Sequence, residues 1–273
     1  MDVDERFAWD GRSIAWGRAG DGPPVVFCHG TPFSSRVWSR YADALSADFT
    51  VYLWDMPGYG ESSKDPAHPV DFDAQARAFA ALLEHWELDR PRVVAHDFGG
   101  AVSLRAALVE KAAYASLMLV DVVAVPPSGS AFFRFVKRHP ETLDELPAYI
   151  HEAIVRAYVS AASHRGLRDE ELAELVGPWC TEVGQPAFYR QIAQYDEEFL
   201  VTNERLLGEL TIPVQVVWGR EDEWIPTETG RRLAGLIPGA SYAEIPDAGH
   251  LIQYDAPVAL STALGAWLRP PSR

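Results

Sequence analysis

The sequence predicts an α/β fold: a mainly parallel sheet covered by helices on both faces and interrupted by a helical cap. Three observations carry this expectation. Short apolar, β-branched runs recur along the chain. Helix-period stretches lie between most of them. One long segment, 125–210, holds helical patterns with no convincing strand.

In chain order, the runs 7–9 and 12–16 flank Asp10-Gly11, a pair suited to a tight hairpin. Further strand-like runs occupy 25–28, 50–54, 92–95, 116–120, 214–218 and 242–245, with helical spacing over 72–86, 101–109 and 258–268. Between 125 and 210, helices are expected over 148–163, 169–176 and 186–199, with a fourth near 204–210. Ordinary crossover helices are the alternative, but this is too much helix for one crossover in a compact sheet. The expected organisation is therefore a core of 1–124, a helical cap of 125–210 and a second core part of 211–273.

The chain has 273 residues, 48% of them apolar, which suffices for a sizeable core. Its 24 basic and 39 acidic residues give a formal charge of −15, which argues against nucleic acid or an anionic membrane surface as a partner. The two cysteines, Cys28 and Cys180, form no CxxC pair and no zinc-like spacing with histidine. Cys28 ends an apolar run and reads as a buried thiol. The acidic start MDVDERFAWDG lacks a signal-peptide pattern, and no run reaches transmembrane length, so a cytoplasmic location is the expectation.

The most informative stretch is Arg92-Val93-Val94-Ala95-His96-Asp97-Phe98-Gly99-Gly100-Ala101. An apolar strand runs into a small residue, an acid, two glycines and an alanine-rich helix. Small residues two before and two after Asp97 permit a tight, strained strand-to-helix turn that exposes the central side chain at the sheet edge. The other reading is a helix-capping Asp. In an exposed turn of this kind, a carboxylate needs no base to ionise it. It can displace a leaving group from a saturated carbon, forming an ester that water and a base must then hydrolyse. Asp97 therefore points to epoxide opening or halide displacement rather than ordinary ester cleavage.

The base expected is His250, in the loop Pro246-Asp247-Ala248-Gly249-His250 after the last strand run. His29 and His96 flank the site as supporting residues. His68, His85, His139, His151 and His164 read as surface or cap packing. Asp222, in the acidic cluster after 214–218, is the expected orienting acid, with Glu221, Glu223 and Asp121 as alternatives. The turn His29-Gly30-Thr31-Pro32, with a cis bond suspected before Pro32, offers backbone N–H groups at Thr31 to join that of Phe98 in an oxyanion hole.

Together HGTP at 29–32, WDMPGYGESS at 54–63, AHDFGG at 95–100, VVWGREDEWIP at 216–226 and PDAGH at 246–250 resemble the α/β-hydrolase superfamily, in its epoxide hydrolase and haloalkane dehalogenase branch. The resemblance spans the chain apart from a divergent cap. It implies the α/β-hydrolase fold, with an eight-stranded sheet. It also implies Asp97 as ester-forming nucleophile, His250 as base, Asp222 as its support, and Thr31 and Phe98 as oxyanion donors. In one dehalogenase subgroup the acid lies at the Asp121 position. Epoxide hydrolases supply two cap tyrosines as O–H donors. Tyr189 in Phe188-Tyr189-Arg190 is the expected second one and Tyr149 the first, with Tyr158 and Tyr195 as alternatives.

Dehalogenases similar to this chain have Trp after the nucleophile and often Asn in HGxP. Here Phe98 and Thr31 stand there, and the arginines of fluoroacetate dehalogenases are also missing. Many epoxide hydrolases differ at the same two places. The leading expectation is hydrolysis of an epoxide to a vicinal diol. A carbon–halogen hydrolase, another activity on this scaffold and a non-catalytic binding protein are the alternatives. No metal or organic cofactor is implied. The expected partners are a small, largely apolar organic substrate and water.

Overall fold

A computed structural model describes residues 1–269. Eight strands form one sheet: β1 Glu5–Trp9, β2 Arg12–Ala19, β3 Pro24–Cys28, β4 Thr50–Trp54, β5 Arg92–His96, β6 Ser116–Val120, β7 Val214–Gly219 and β8 Ser241–Ile245. Their order is β1-β2-β4-β3-β5-β6-β7-β8, antiparallel at β1/β2 and β2/β4 and parallel elsewhere. Asp10 and Gly11 both take positive φ, 48° and 73°, as a tight hairpin turn requires. The central strands are continuous apolar runs because helices cover both faces. Val25, Val26, Phe27, Val93, Val94, Leu117 and Leu119 are each fully buried.

The helices that follow the core strands are α1 Ser39–Leu45, α2 Phe72–His85 and α3 Phe98–Leu108. Between β6 and β7 come α4 Ala131–Arg138, α5 Pro140–Asp144, α6 Ala148–Ser160, α7 Asp169–Val176, α8 Gly184–Ala193 and α9 Glu198–Leu206. After β7 come α10 Thr227–Leu236, α11 Ile252–Asp255 and α12 Pro257–Leu268. Among the described residues, no strand lies between β6 and β7. The helix expected over 186–199 is broken at 194–197, and 204–210 holds the end of α9 followed by a short 3₁₀ turn, Leu207–Glu209, rather than a separate helix.

The strand order locates the functional edge. After β3 the chain goes outward to β4 and then returns to β5 on the opposite side of β3. Connections leaving β3 and β5 therefore diverge and open a crevice at their C-terminal ends. The registers align those ends: Cys28 faces Ala95, His96 faces Val120 and Val120 faces Val217. Residues just beyond β3, β5, β6 and β7 thus emerge at one rim. Among the described residues, no helix is long and apolar enough to cross a membrane.

Candidate active site

Asp97 sits on that rim with φ 48° and ψ −119°, a conformation L-residues rarely adopt, and its side chain makes no capping bond to α3. The capping alternative therefore does not describe it. The bend is tight enough to demand small neighbours. A Cβ on Gly30 would lie 2.3 Å from the Asp97 Cβ and 2.6 Å from Oδ1, and one on Gly99 would lie 2.5 Å from the His29 carbonyl oxygen. Thr31 and Pro32 are joined by a cis bond, as the motif suggested. The Thr31 N–H donates to Asp97 Oδ1 at 2.6 Å. Of the two expected oxyanion donors only Thr31 reaches this oxygen; the Phe98 N–H makes no hydrogen bond to it.

His250 meets both carboxylates that the sequence paired with it. Its Nδ1–H donates to Asp222 Oδ2 at 2.9 Å, and its Nε2 lies 3.4 Å from Asp97 Oδ2 without forming a hydrogen bond. Asp222 is held by the Trp224 and Ile225 N–H groups, which donate to Oδ1 at 2.8 and 2.9 Å. Burial opposes a cation at His250. The carboxylates of Asp222 and Asp97 outweigh it and hold the imidazole well above its ordinary value.

Two of the alternative acids are engaged elsewhere, and the third faces solvent. Asp121 accepts from the Gly219 N–H at 2.7 Å, and burial, then the Asp222 charge, pushes its carboxyl well above the usual carboxylate range. Glu221 accepts from the Ala248 N–H, and Glu223 is exposed at the cavity rim.

The two flanking histidines brace the loops. His29 Nε2 accepts from the Met56 N–H at 2.9 Å. His96 Nε2–H donates to the His250 carbonyl at 2.9 Å. Burial, helped by the His250 cation, drives the His96 imidazole down to about 3 and keeps it neutral.

Above Asp97 lies a cavity of about 350 Å³, lined by Thr31, Phe98, Val122, Phe133 and Trp224 among others. Its tyrosines are Tyr158 and Tyr195, and this corrects the expected pair. Tyr149 is 73% exposed on the outer face of α6. Nine residues separate it from Tyr158, which at 100° per residue puts the two on opposite helix faces. Tyr189 is fully buried but does not line the cavity. Its hydroxyl donates to His151 Nδ1 at 2.9 Å, while His151 Nε2–H donates to the Trp179 carbonyl at 3.0 Å, so its proton is committed inside the helical insert. A signal for Tyr158 was present, because it adjoins the helical stripe His151, Val155, Val159 that α6 buries.

Burial, then the Asp97 charge, raises the Tyr158 phenol well above its ordinary value. Burial pushes that of Tyr195 up to about 12, and its Oη makes no hydrogen bond among the described residues. Both phenols therefore keep their protons.

Two site residues were not singled out from sequence. Trp224 stacks on His250 with centroids 4.9 Å apart and on Tyr158 at 4.5 Å, although its place two residues after Asp222 was a cue. Gln191 on α8 accepts from the hydroxyls of Thr31 and Tyr59 at 2.7 and 2.9 Å, a link across the fold that no local pattern encodes.

A model of the alpha/beta hydrolase fold family matches residues 23–257. This chain belongs to the α/β-hydrolase family. An alpha/beta hydrolase fold protein from Burkholderia ambifaria, known from its crystal structure, is 44% identical, with a TM-score of 0.94 over 97% of each chain. Haloalkane dehalogenase 2 of Mycobacterium tuberculosis is 25% identical over 90% of this chain and 87% of its own length. A 2-hydroxy-6-oxononadienedioate/2-hydroxy-6-oxononatrienedioate hydrolase of Dechloromonas aromatica is 26% identical over 85% of this chain and 81% of its own length. The α/β-hydrolase described here is thus an enzyme of the hydrolase class, with dehalogenases and other hydrolases among its relatives.

Proposed function

We propose that this α/β-hydrolase opens an epoxide to a vicinal diol through an ester on Asp97, with the helical insert acting as a cap. The observation that carries the reading is the pair of phenols, Tyr158 and Tyr195, lining the same cavity as Asp97.

Asp97 Oδ1 is held by the Thr31 N–H, whereas Oδ2 accepts no hydrogen bond among the described residues and is free to attack. In the first step Oδ2 bonds to an oxirane carbon and the C–O bond breaks. The electron pair goes to the oxirane oxygen, which takes a proton from one of the phenols. In the second step His250, which gives up its resting proton to solvent once the Asp97 charge is gone, removes a proton from water through Nε2, and the resulting hydroxide attacks the ester carbonyl carbon. The oxyanion forms on Oδ1, where the Thr31 N–H already points. On collapse the proton of the new hydroxyl passes to the leaving alkoxide, which releases the diol and restores the Asp97 carboxylate; the His250 proton returns to the phenolate, and the imidazole takes up a proton from solvent again. The net change is the addition of one water.

The His250 shift fits this order. While Asp97 is charged it favours the imidazolium. Once Asp97 is an ester that charge is gone, and the imidazole loses one of the two carboxylates sustaining its proton. The apolar and aromatic lining of the cavity favours a small, largely apolar substrate.

Halide displacement is the second reading, favoured by the similarity to haloalkane dehalogenase 2. A leaving halide needs N–H donors. The indoles of Trp38 and Trp179 are spent on the carbonyls of Cys28 and Pro32, which leaves that of Trp224, in the cavity lining, as the indole donor this reading would use.

Assaying epoxide and haloalkane panels in parallel tests the choice. With an epoxide, Tyr158→Phe and Tyr195→Phe are each expected to slow ester formation about 10- to 100-fold, and the double variant about 10³-fold or more. A double variant that opens epoxides at the wild-type rate, or an enzyme that turns over only haloalkanes, rejects the reading.

A further inference from the structure

We propose that Asp255 is a positioning residue: one buried carboxylate that ties the helical insert to the His250 loop and thereby sets Tyr158 and His250 relative to each other. Asp255 ends α11 and is 2% exposed. Its Oδ1 accepts from the Ser163 hydroxyl at 2.5 Å and the Arg165 N–H at 3.2 Å, and its Oδ2 accepts from the His164 and Gly249 N–H groups, each at 2.8 Å. No lysine or arginine side chain is among these partners. The charge is met by backbone dipoles and one hydroxyl, an arrangement that tolerates little displacement in a buried setting.

The donors come from two distant stretches of chain. Ser163, His164 and Arg165 follow α6, the helix that carries Tyr158, and Gly249 immediately precedes His250. A further bond, from the Leu251 N–H to the Ala162 carbonyl at 2.8 Å, closes the same seam. The contact is close enough to require glycine at 249, where a Cβ would stand 2.8 Å from the His164 nitrogen. Asp255 touches neither cavity nor reacting atoms. Its effect runs through the two groups it spaces, which the proposed reaction uses in different steps: Tyr158 in ring opening and His250 in ester hydrolysis.

The kinetic half of this inference rests on the proposed function, whereas the structural half does not. Amide hydrogen exchange and single-turnover kinetics of Asp255→Ala, Asp255→Asn and Ser163→Ala test both. In Asp255→Ala the amides of 162–165 and 249–251 are expected to exchange about tenfold faster or more, in concert, with those of β5 unchanged. Ester formation and ester hydrolysis should both slow about 10- to 100-fold. Asp255→Asn should recover part of both rates, since its amide oxygen can keep the His164 and Gly249 donors and its NH₂ can donate to the Ser163 hydroxyl, while the Arg165 N–H loses its acceptor.

Faster exchange in only one of the two stretches, or slowed hydrolysis with ester formation at the wild-type rate, overturns the inference. Should Asp255→Ala fail to fold, Ser163→Ala carries the test with the same concerted pattern at smaller size. A wild-type enzyme that opens no epoxide removes the proposed reaction, and the exchange pattern still decides the coupling.

Discussion

Replacing His250 with glutamine will stall the enzyme as an ester on Asp97. Glutamine can still donate to Asp222 but cannot take a proton from water, so the first step survives and the second does not. General-base assistance of this kind is worth about 10²–10⁴-fold, and hydrolysis of the ester should slow by that amount. Intact-protein mass spectrometry after mixing with a turned-over epoxide should show a protein heavier by one substrate, with the adduct mapped to the peptide containing Asp97. The absence of any adduct, with turnover retained, would remove the covalent mechanism.

The pH dependence follows from the same pair of carboxylates. In the free enzyme Asp97 and Asp222 together hold the His250 imidazole above its ordinary value against the opposing effect of burial. In the ester only Asp222 remains charged, so the His250 pKa must fall. Hydrolysis of the ester should therefore rise with pH through the lowered value and level off above it. Ester formation needs no neutral imidazole and should not follow that curve. Rapid-quench measurements across pH, set beside an NMR titration of His250 in the resting enzyme, give the two midpoints. A hydrolysis midpoint at or above the resting value contradicts the assignment.

The second large effect is expected from Asp97→Asn. The carboxamide keeps an oxygen for the Thr31 N–H, so the strained bend and the melting temperature should change little. The anionic oxygen that attacks is gone, and turnover should fall by about 10⁴–10⁶-fold, the scale seen when a triad member is removed. This variant also mimics the ester in charge. Its His250 should titrate below that of the wild type, which NMR can read without any substrate. Wild-type activity in Asp97→Asn that is present from the first minutes, before slow deamidation can restore the acid, would assign the chemistry to another group.

Asp97, Asp222 and His250 were legible because each lies within a few residues of a strand end. Strand ends are locally encoded by apolar runs that stop at Gly, Pro or acidic residues, and parallel pairing aligns them at one rim. The choice of Asp222 over Asp121 was less secure from sequence alone, since both follow strands that end at the same edge. The structure separates them by partner, His250 for Asp222 and the Gly219 amide for Asp121.

The tyrosines lay beyond such reasoning. Helical period indicates which stripe of α6 is buried, not which part of that stripe faces a cavity. The tyrosine after α8 depends on where that helix breaks. Tyr195 lines the cavity because the chain leaves helical geometry at 194–197, a break that the expected helix over 186–199 passed straight through.

The sequence by itself determined the sheet, the sharp turn at Asp97 and the loop imidazole, because short apolar runs, small residues and turn formers act over a handful of neighbours. Only the tertiary structure decided which phenols overlook Asp97, and that Gln191 and Asp255 join segments far apart in the chain. Side chains on packed helices point wherever the packing turns them, and one residue of helical phase rotates that direction by 100°.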